Sequence, residues 1–504
     1  MIASLLAGLS TELSKNKSAM LKKLHLHIAD HKQKVLFFLV ALSLSILVAG
    51  STYQYGFLGP ILVIAAAGAG TFLVASFTNP RVAFIVYFSY CFVLGFVVKT
   101  FLNIPVGLAM DAILLLTWGS LLVNMNKFNW KALKNEHVLL SLIWFGISVL
   151  QVLNPYGGSF TGWFNELRFT ALSWLLIAPI VFLLFNQLKD LNRFIGFILF
   201  FSCLATLYGV KQLYVGLTGG ERQWLAAGNH VTHILGGKLR VFSIYSDAGQ
   251  FGASQAIMAV VALVLALGPF SITKKIIFGV IGLVMLYGMG ISGTRGALFA
   301  LVAGLGYALF LSKNFKVLII GSAFALGGLA VLKYTKIGDE SFQVRRLRSA
   351  LDPKDASFNV RMVNQKKLAY LLKDVPFGAG LGMSGMNGTT YNADKPIANI
   401  QPDSYWVKVW VMYGVVGLFI WFGINFYIIG KCSGIVWKLK DPKLKTKMIA
   451  LTSGTVGCFI CSYGNEVMNA MPSSVIMFMS WSFIFISPWL DKQAQQLAAN
   501  GDDL

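Results

Sequence analysis

Runs of about 17–25 apolar residues follow one another through most of this chain, and no other feature constrains its fold as much. A helix of that length crosses about 30 Å of hydrocarbon at roughly 1.5 Å per residue. The runs do not alternate with period two, which argues against a β-barrel. Lipid supplies no hydrogen bonds, so helices are the remaining way to satisfy the backbone. Charged residues make up 12% of the 504 and hydrophobic residues 56%. A soluble domain is about 25% charged, so the composition excludes a soluble globular protein and equally a disordered chain. The expected class is all-α: a polytopic integral membrane protein with about 14 (12–14) transmembrane helices.

The fourteen expected spans lie near 35–50, 57–77, 82–98, 106–123, 137–153, 171–186, 193–213, 250–268, 275–292, 295–312, 315–332, 403–429, 446–464 and 472–489. They imply a basic cytoplasmic tail (1–34), an N-terminal bundle (35–332), a large periplasmic loop (333–402), C-terminal helices (403–489) and a second cytoplasmic tail (490–504). The first span is expected to direct its own insertion, with no cleavable signal peptide. Lysine and arginine alternate by loop as this count requires. Arg81, Lys127, Lys131, Lys134, Lys189, Arg193, Lys274, Lys275, Lys313 and Lys431 fall on the cytoplasmic side; Lys99, Arg168 and Arg295 fall on the other.

The net charge is +22. In a soluble protein that would point to nucleic acid; here the positive-inside bias accounts for it, and no nucleic-acid partner is expected. The 333–402 loop departs from the bias, with eleven Lys+Arg against six Asp+Glu on the outer side. Long loops escape the rule, and an anionic ligand is the alternative explanation. Within the loop, Phe358–Lys373 reads as an amphipathic helix suited to a membrane surface, with Val360, Val363, Leu368, Leu371 and Leu372 on one side. Pro376 stops it, and a glycine-rich segment follows. The five cysteines form no even set in an exposed loop, so no disulfide framework is expected. Cys458 and Cys461 have C-x-x-C spacing inside a span, where small packing residues are the plainer reading.

Four arginines fall at outer span edges: Arg168, Arg240, Arg295 and Arg361. Placing one in the membrane costs roughly 2.5–3.5 kcal/mol at a helix centre. The guanidinium forks onto phosphate oxygens, so such a cluster suits a lipid-linked phosphate or pyrophosphate; snorkelling to headgroups is the alternative for any one of them. Gly378, Gly380 and Gly382 are candidates for an anion-binding nest or for a plain loop. Asp403 precedes a long helix, where a carboxylate serves either as a proton acceptor or as an N-cap. Glu466, in a loop on the same side, is the alternative base. His230 and His233 lack a partner at metal spacing, and no nucleotide motif is present. Neither metal nor cofactor is expected, so any donor must arrive already activated.

Four short motifs occur in order. LRVFSIYSDAGQFG carries Arg240; ISGTRGALFALV carries Arg295; Arg361 is followed by VPFGAGLGMSG; and Asp403-Ser404 is followed after nine residues by Gly414 and Gly417. Together they resemble the bacterial O-antigen ligase and Wzy-type polysaccharide polymerase superfamily over about residues 160–490, most strongly over 240–420. Two positions depart from the pattern: Ser243 replaces a glycine, and Asp403 stands where the ligase branch has histidine. An acidic residue there is more typical of the polymerase branch.

The resemblance implies an inverting, metal-independent glycosyltransferase of the GT-C-like membrane type, acting on the periplasmic face of the bacterial inner membrane. The donor would be an undecaprenyl-pyrophosphate-linked glycan, the acceptor a second lipid-linked repeat. Asp403 would take or orient the acceptor proton, and the arginines would hold the pyrophosphate. The expected product is a surface polysaccharide, O-antigen or exopolysaccharide, with a chain-length regulator as a further partner. Ligation to lipid A-core or protein is the alternative. A lipid-linked glycan transporter without covalent chemistry is a third reading, but neither the paired halves nor the broken helices of such proteins are evident.

Overall fold

A computed structural model describes residues 38, 42–43, 45–100, 106–313, 327, 330–331, 333–340, 342–349 and 356–499. The chain divides into two compact units, Met1–Asn79 and Pro80–Leu504. In the first unit, α1 (Leu58–Thr78) buries only 6% of its apolar stretch. A helix apolar on every face and so little covered by protein is suited to contact with lipid.

The second unit is built of helices. In chain order they are α2 (Pro80–Thr100), α3 (Val106–Val123), α4 (Glu136–Leu150), α5 (Phe160–Leu167), α6 (Ser173–Leu184), α7 (Leu188–Tyr214), and the short α8 (Gly219–Trp224) and α9 (His230–His233). Then come α10 (Ala248–Ala266), α11 (Ile272–Ile291), α12 (Arg295–Ser312), α13 (Phe342–Ser349), α14 (Ala356–Leu371), α15 (Gly385–Tyr391), α16 (Tyr405–Lys438), α17 (Pro442–Cys461) and α18 (Ser473–Ala499). The strands described are the two-residue pair β1 (Ile234–Leu235) and β2 (Lys238–Leu239), antiparallel with Ile234 opposite Leu239. The all-α, polytopic expectation holds.

Eleven helices among the described residues are long and apolar enough to cross a membrane. Two of the fourteen expected spans, near 35–50 and 315–332, lie largely outside the described residues, as do the expected tail 1–34 and the end of the second tail. The span expected near 446–464 is α17, a buried helix that is not apolar enough to join the eleven. Its serines, threonines and glycines pack against protein instead of lipid.

Small residues set the centre of the bundle. In α10, 89% of the apolar stretch is buried, and Gly252, Ala253, Ala256, Ala259 and Ala262 let neighbouring backbones approach. A Cβ on Gly304 of α12 would meet Val260 at 2.8 Å, and one on Gly457 of α17 would meet the Ala300 carbonyl at 2.7 Å. Around this centre, aromatic rings interleave: Phe88 of α2 lies 4.8 Å from Phe197 of α7, and Phe92 lies 4.8 Å from Phe201. Three buried serines of α18 donate to their own helix: Ser480 to the Ile476 carbonyl (2.6 Å), Ser482 to Phe478 (3.0 Å) and Ser487 to Ile484 (2.7 Å). Helices from before and after the long loop share this one core.

Loop contacts sort into two sets that lie at opposite helix ends. At one end, Arg81 pairs with Asp190 (3.6 Å), Lys447 donates to Asn192 (2.7 Å), Lys313 lies over Trp437 and the Asp441 amide donates to Asp491. At the other end gather the segments around residues 160–170, 220–250, 290–296, 342–349, 356–403 and 462–473. Charge alternation read from sequence assigns loops to the same two sets.

Candidate functional site

The second end carries the candidate chemistry. α12 starts without a side-chain cap at Thr294, whose hydroxyl turns instead to the Ala248 carbonyl (2.7 Å). Gly293, at φ +58°, bends the chain into the helix. Arg240 and Arg346 flank this glycine, each with its Cγ within 4 Å of where a Cβ would stand. Arg240 donates to the Thr232 carbonyl (2.8 Å) and to Thr294 Oγ1 (3.3 Å); Arg346 donates to the Gly293 carbonyl (3.4 Å); Arg295 reaches Ser349 Oγ (3.4 Å). Burial, with the Arg346 and Arg295 charges, presses the pKa of Arg240 down to about 10, while Asp247 pulls it up. Arg240 therefore stays charged at neutral pH. Guanidinium groups at an uncapped helix N-terminus form an anion-binding arrangement.

Arg361, on α14, donates to the Gly464 carbonyl (2.9 Å), and its buried Nε has no partner among the described residues. A Cβ on Gly464 would be 4.0 Å from both Arg361 Nη1 and the Gly296 Cα, so Arg361 lies beside the start of α12. Three of the four expected arginines thus converge, joined by Arg346. Arg168 does not. It lies in a π-helical turn, Arg168–Leu172, within the apolar stretch and not in a loop, where it pairs with Asp111 and donates to Asn165 (3.1 Å).

Asp403 is not the cap of α16. Ser404 takes that role, its hydroxyl accepting from the Val407 amide (3.3 Å). Asp403 stands outside the helix at φ +50°, a left-handed conformation that Asp and Asn tolerate best among residues with a side chain. Burial raises its carboxyl above the ordinary value; Arg361 opposes this and Glu466 adds to it. Its carboxylate therefore feels the opposed charges of Arg361 and Glu466.

Glu466 belongs to a buried ionic triad. Lys408, one turn into α16, places Nζ 3.0 Å from Glu166 Oε1 and 2.9 Å from Glu466 Oε2. Glu166 also accepts from Thr170 (3.0 Å) and from Asn387 of α15 (2.7 Å). Sequence reasoning missed Lys408, Glu166 and Arg346. The signal for the first two was an ionisable residue within an apolar run, as in SYWVKVWVM and WFNELRF. Arg346 was one of three arginines in a loop helix, and its neighbour Arg348 pairs with Asp339 instead.

The glycines after Pro376 prove to be packing residues. The Ala379 amide donates to the Val411 carbonyl (2.8 Å), that of Gly380 to Met412 (3.1 Å), and that of Val416 to Pro376 (3.2 Å). These bonds hold the segment against a kink in α16, where Gly414 turns to φ +70°. Added Cβ atoms would stand 2.3 Å from Gly414 at Gly378, 3.0 Å from Gly157 at Gly380, and 2.4 Å from Gly162 at Gly382. The Gly378 amide also donates internally, to Val375 (3.0 Å). The nest reading of Gly378 and Gly380 is corrected on this ground: their amides are spent on backbone carbonyls.

Other candidates resolve into structure. His233 is buried between Trp224 and Phe242, with Nε2 accepting from the Ala248 amide (3.3 Å). Burial lowers its pKa. Cys458 and Cys461 are free and buried. Among the described residues no group of His, Cys, Asp and Glu is placed to hold a metal ion.

A comparison with curated proteins gives no match. A family comparison does: residues 280–422 match the model described as O-antigen ligase. That stretch holds Arg295, Arg346, Arg361, Asp403, Lys408 and the Gly414 kink; Arg240, Glu166 and Glu466 lie outside it. With this match on a helical, polytopic chain, the protein is similar, over residues 280–422, to the glycosyltransferase-like enzymes of the O-antigen ligase and Wzy-type polymerase superfamily.

Proposed function

We propose that this protein polymerises undecaprenyl-pyrophosphate-linked oligosaccharide repeats into a surface polysaccharide at the periplasmic face of the inner membrane. The observation that carries the reading is the gathering of Arg240, Arg295 and Arg346 at the α12 N-terminus, with Arg361 between them and Asp403. An acceptor hydroxyl attacks the anomeric carbon of the donor sugar, and the bond from that carbon to the pyrophosphate oxygen breaks. Asp403 receives the hydroxyl proton. The arginines hold the charge that develops on the leaving pyrophosphate, a role in which preorganised donors contribute most to rate. Displacement from the opposite face inverts the anomeric configuration. No metal is required, because fixed cations supply the charge stabilisation.

The description of the matched family favours a second reading, transfer of finished glycan to lipid A-core. The product in cells lacking the protein separates the two. Single repeats that persist on their acceptor while long chains vanish support polymerisation. Loss of all attached glycan, with lipid-linked glycan accumulating, establishes ligation instead. Translocation of lipid-linked repeats across vesicles that hold the protein, with no glycosyl product formed, supports transport and ends both.

A further inference from the structure

Buried polar atoms without partners gather around Glu466. Gln250 is buried and donates through Nε2 to the Glu466 carbonyl (2.5 Å), yet its Oε1 has no partner among the described residues. Ser384 Oγ, 1% exposed, has none either. Its neighbour Gly385 would carry a Cβ 3.4 Å from Glu466 Oε1. Asn469 donates to Glu466 Oε2 (3.3 Å) while its own Oδ1 is unsatisfied. Buried polar groups are rarely left this way, because each costs about 1–3 kcal/mol. Three around one carboxylate mark a surface built for a ligand with many hydroxyls.

The charge there selects against the donor's pyrophosphate. One lysine between two glutamates leaves a net negative charge, which repels an anion. Carboxylate, amide and hydroxyl groups together bind neutral polyols. We infer that Glu466, Gln250, Ser384 and Asn469 form the acceptor-sugar subsite, beside the arginine cluster. The inference rests on the glycosyl-transfer reading and adds where the acceptor lies. The arginines and this subsite then each recognise one substrate by charge.

The test uses the full-length protein in detergent and a sugar without pyrophosphate: the oligosaccharide released by mild acid from the undecaprenyl-pyrophosphate-linked repeat. Saturation-transfer NMR is expected to show binding that inorganic pyrophosphate does not displace. Gln250→Leu and Ser384→Ala should each weaken it roughly three- to tenfold, the value of one or two neutral hydrogen bonds. Ser384→Ala removes a single oxygen and keeps the test decisive if Gln250→Leu folds poorly. No binding by the wild-type chain, equal binding by Ser384→Ala, or displacement by pyrophosphate overturns the subsite. Variant-sensitive binding in a chain that makes no polymer from the lipid-linked repeat overturns the proposed reaction and leaves the subsite standing.

Discussion

Asp403 has one geometry but two separable properties, backbone strain and charge. At φ +50° an alanine is disfavoured by roughly 1–2 kcal/mol, whereas asparagine fits. Its carboxyl is raised in the folded state, so whatever stability it contributes is present at low pH and lost as pH rises. Ionised Asp403 is therefore a cost at neutral pH, and Asp403→Asn should melt no lower than wild type. Loss of a catalytic base typically costs about 10²–10⁴-fold in rate, so the same variant should stop chain extension at normal protein level. Wild-type polymer from Asp403→Asn would end the base assignment. The pH dependence follows the same sign: activity should fall as pH drops through the raised value. Glu466→Gln removes one charge that raises it, so the acid limb of its pH–rate profile should shift to lower pH; a shift upward would contradict the coupling. Arg346 is the residue the sequence concealed. Arg346→Ala should reduce polymer as severely as Arg295→Ala, and Arg346→Lys should recover little, since an ammonium lacks the planar fork. Polymer-length analysis on gels checks both.

Among the elements, α16 and the segment that leans on its kink show what patterning can and cannot reveal. The apolar run announced a span, and the spacing Asp403-Ser404, nine residues, Gly414, Gly417 was visible. Nothing in that spacing said that Gly414 would turn to φ +70° to receive Pro376–Gly380, because the partner lies more than thirty residues upstream. Gly414→Ala places a Cβ 2.0 Å from the Pro376 carbonyl oxygen. The left-handed backbone and the clash together should cost roughly 2–5 kcal/mol. Limited proteolysis should then cut the 372–392 segment faster than in wild type; equal protection would show that the kink is not needed to hold it. α14 teaches the converse. Its periodicity was legible, but its docking face takes only part of the apolar stripe. Arg361, Asn364, Leu368 and Leu372 face the bundle, with Asn364 donating to the Gln401 carbonyl (3.0 Å). Val360 and Val363 stay outward, 53% and 51% exposed. Around Arg361 and Asn364 polar anchors outweighed the hydrophobic pattern, while Leu368 and Leu372 dock as apolar residues.

At the scale of the molecule, the helical class and the sorting of loops into two ends were readable, because hydropathy and charge bias report the membrane directly. Which charged side chains meet was not, since Glu166, Lys408 and Glu466 span three hundred residues of sequence. The sorting carries its own test. A cysteine replacing the exposed Thr390 should react with an impermeant thiol reagent in intact spheroplasts, and one replacing Lys440 only after lysis. The reverse pattern would invert the topology. The native thiols contribute little background, four of the five being buried. The long separation of the triad has a consequence for synthesis. While the ribosome is still short of residue 466, Lys408 has one carboxylate available and the sugar-facing wall does not exist. On the proposed function, the growing polypeptide cannot seat the acceptor until its last helices are delivered. A premature stop before residue 466 should leave no residual polymer, whereas a C-terminal fragment from residue 442 onward, supplied as a second polypeptide, is the piece to try for restoring it.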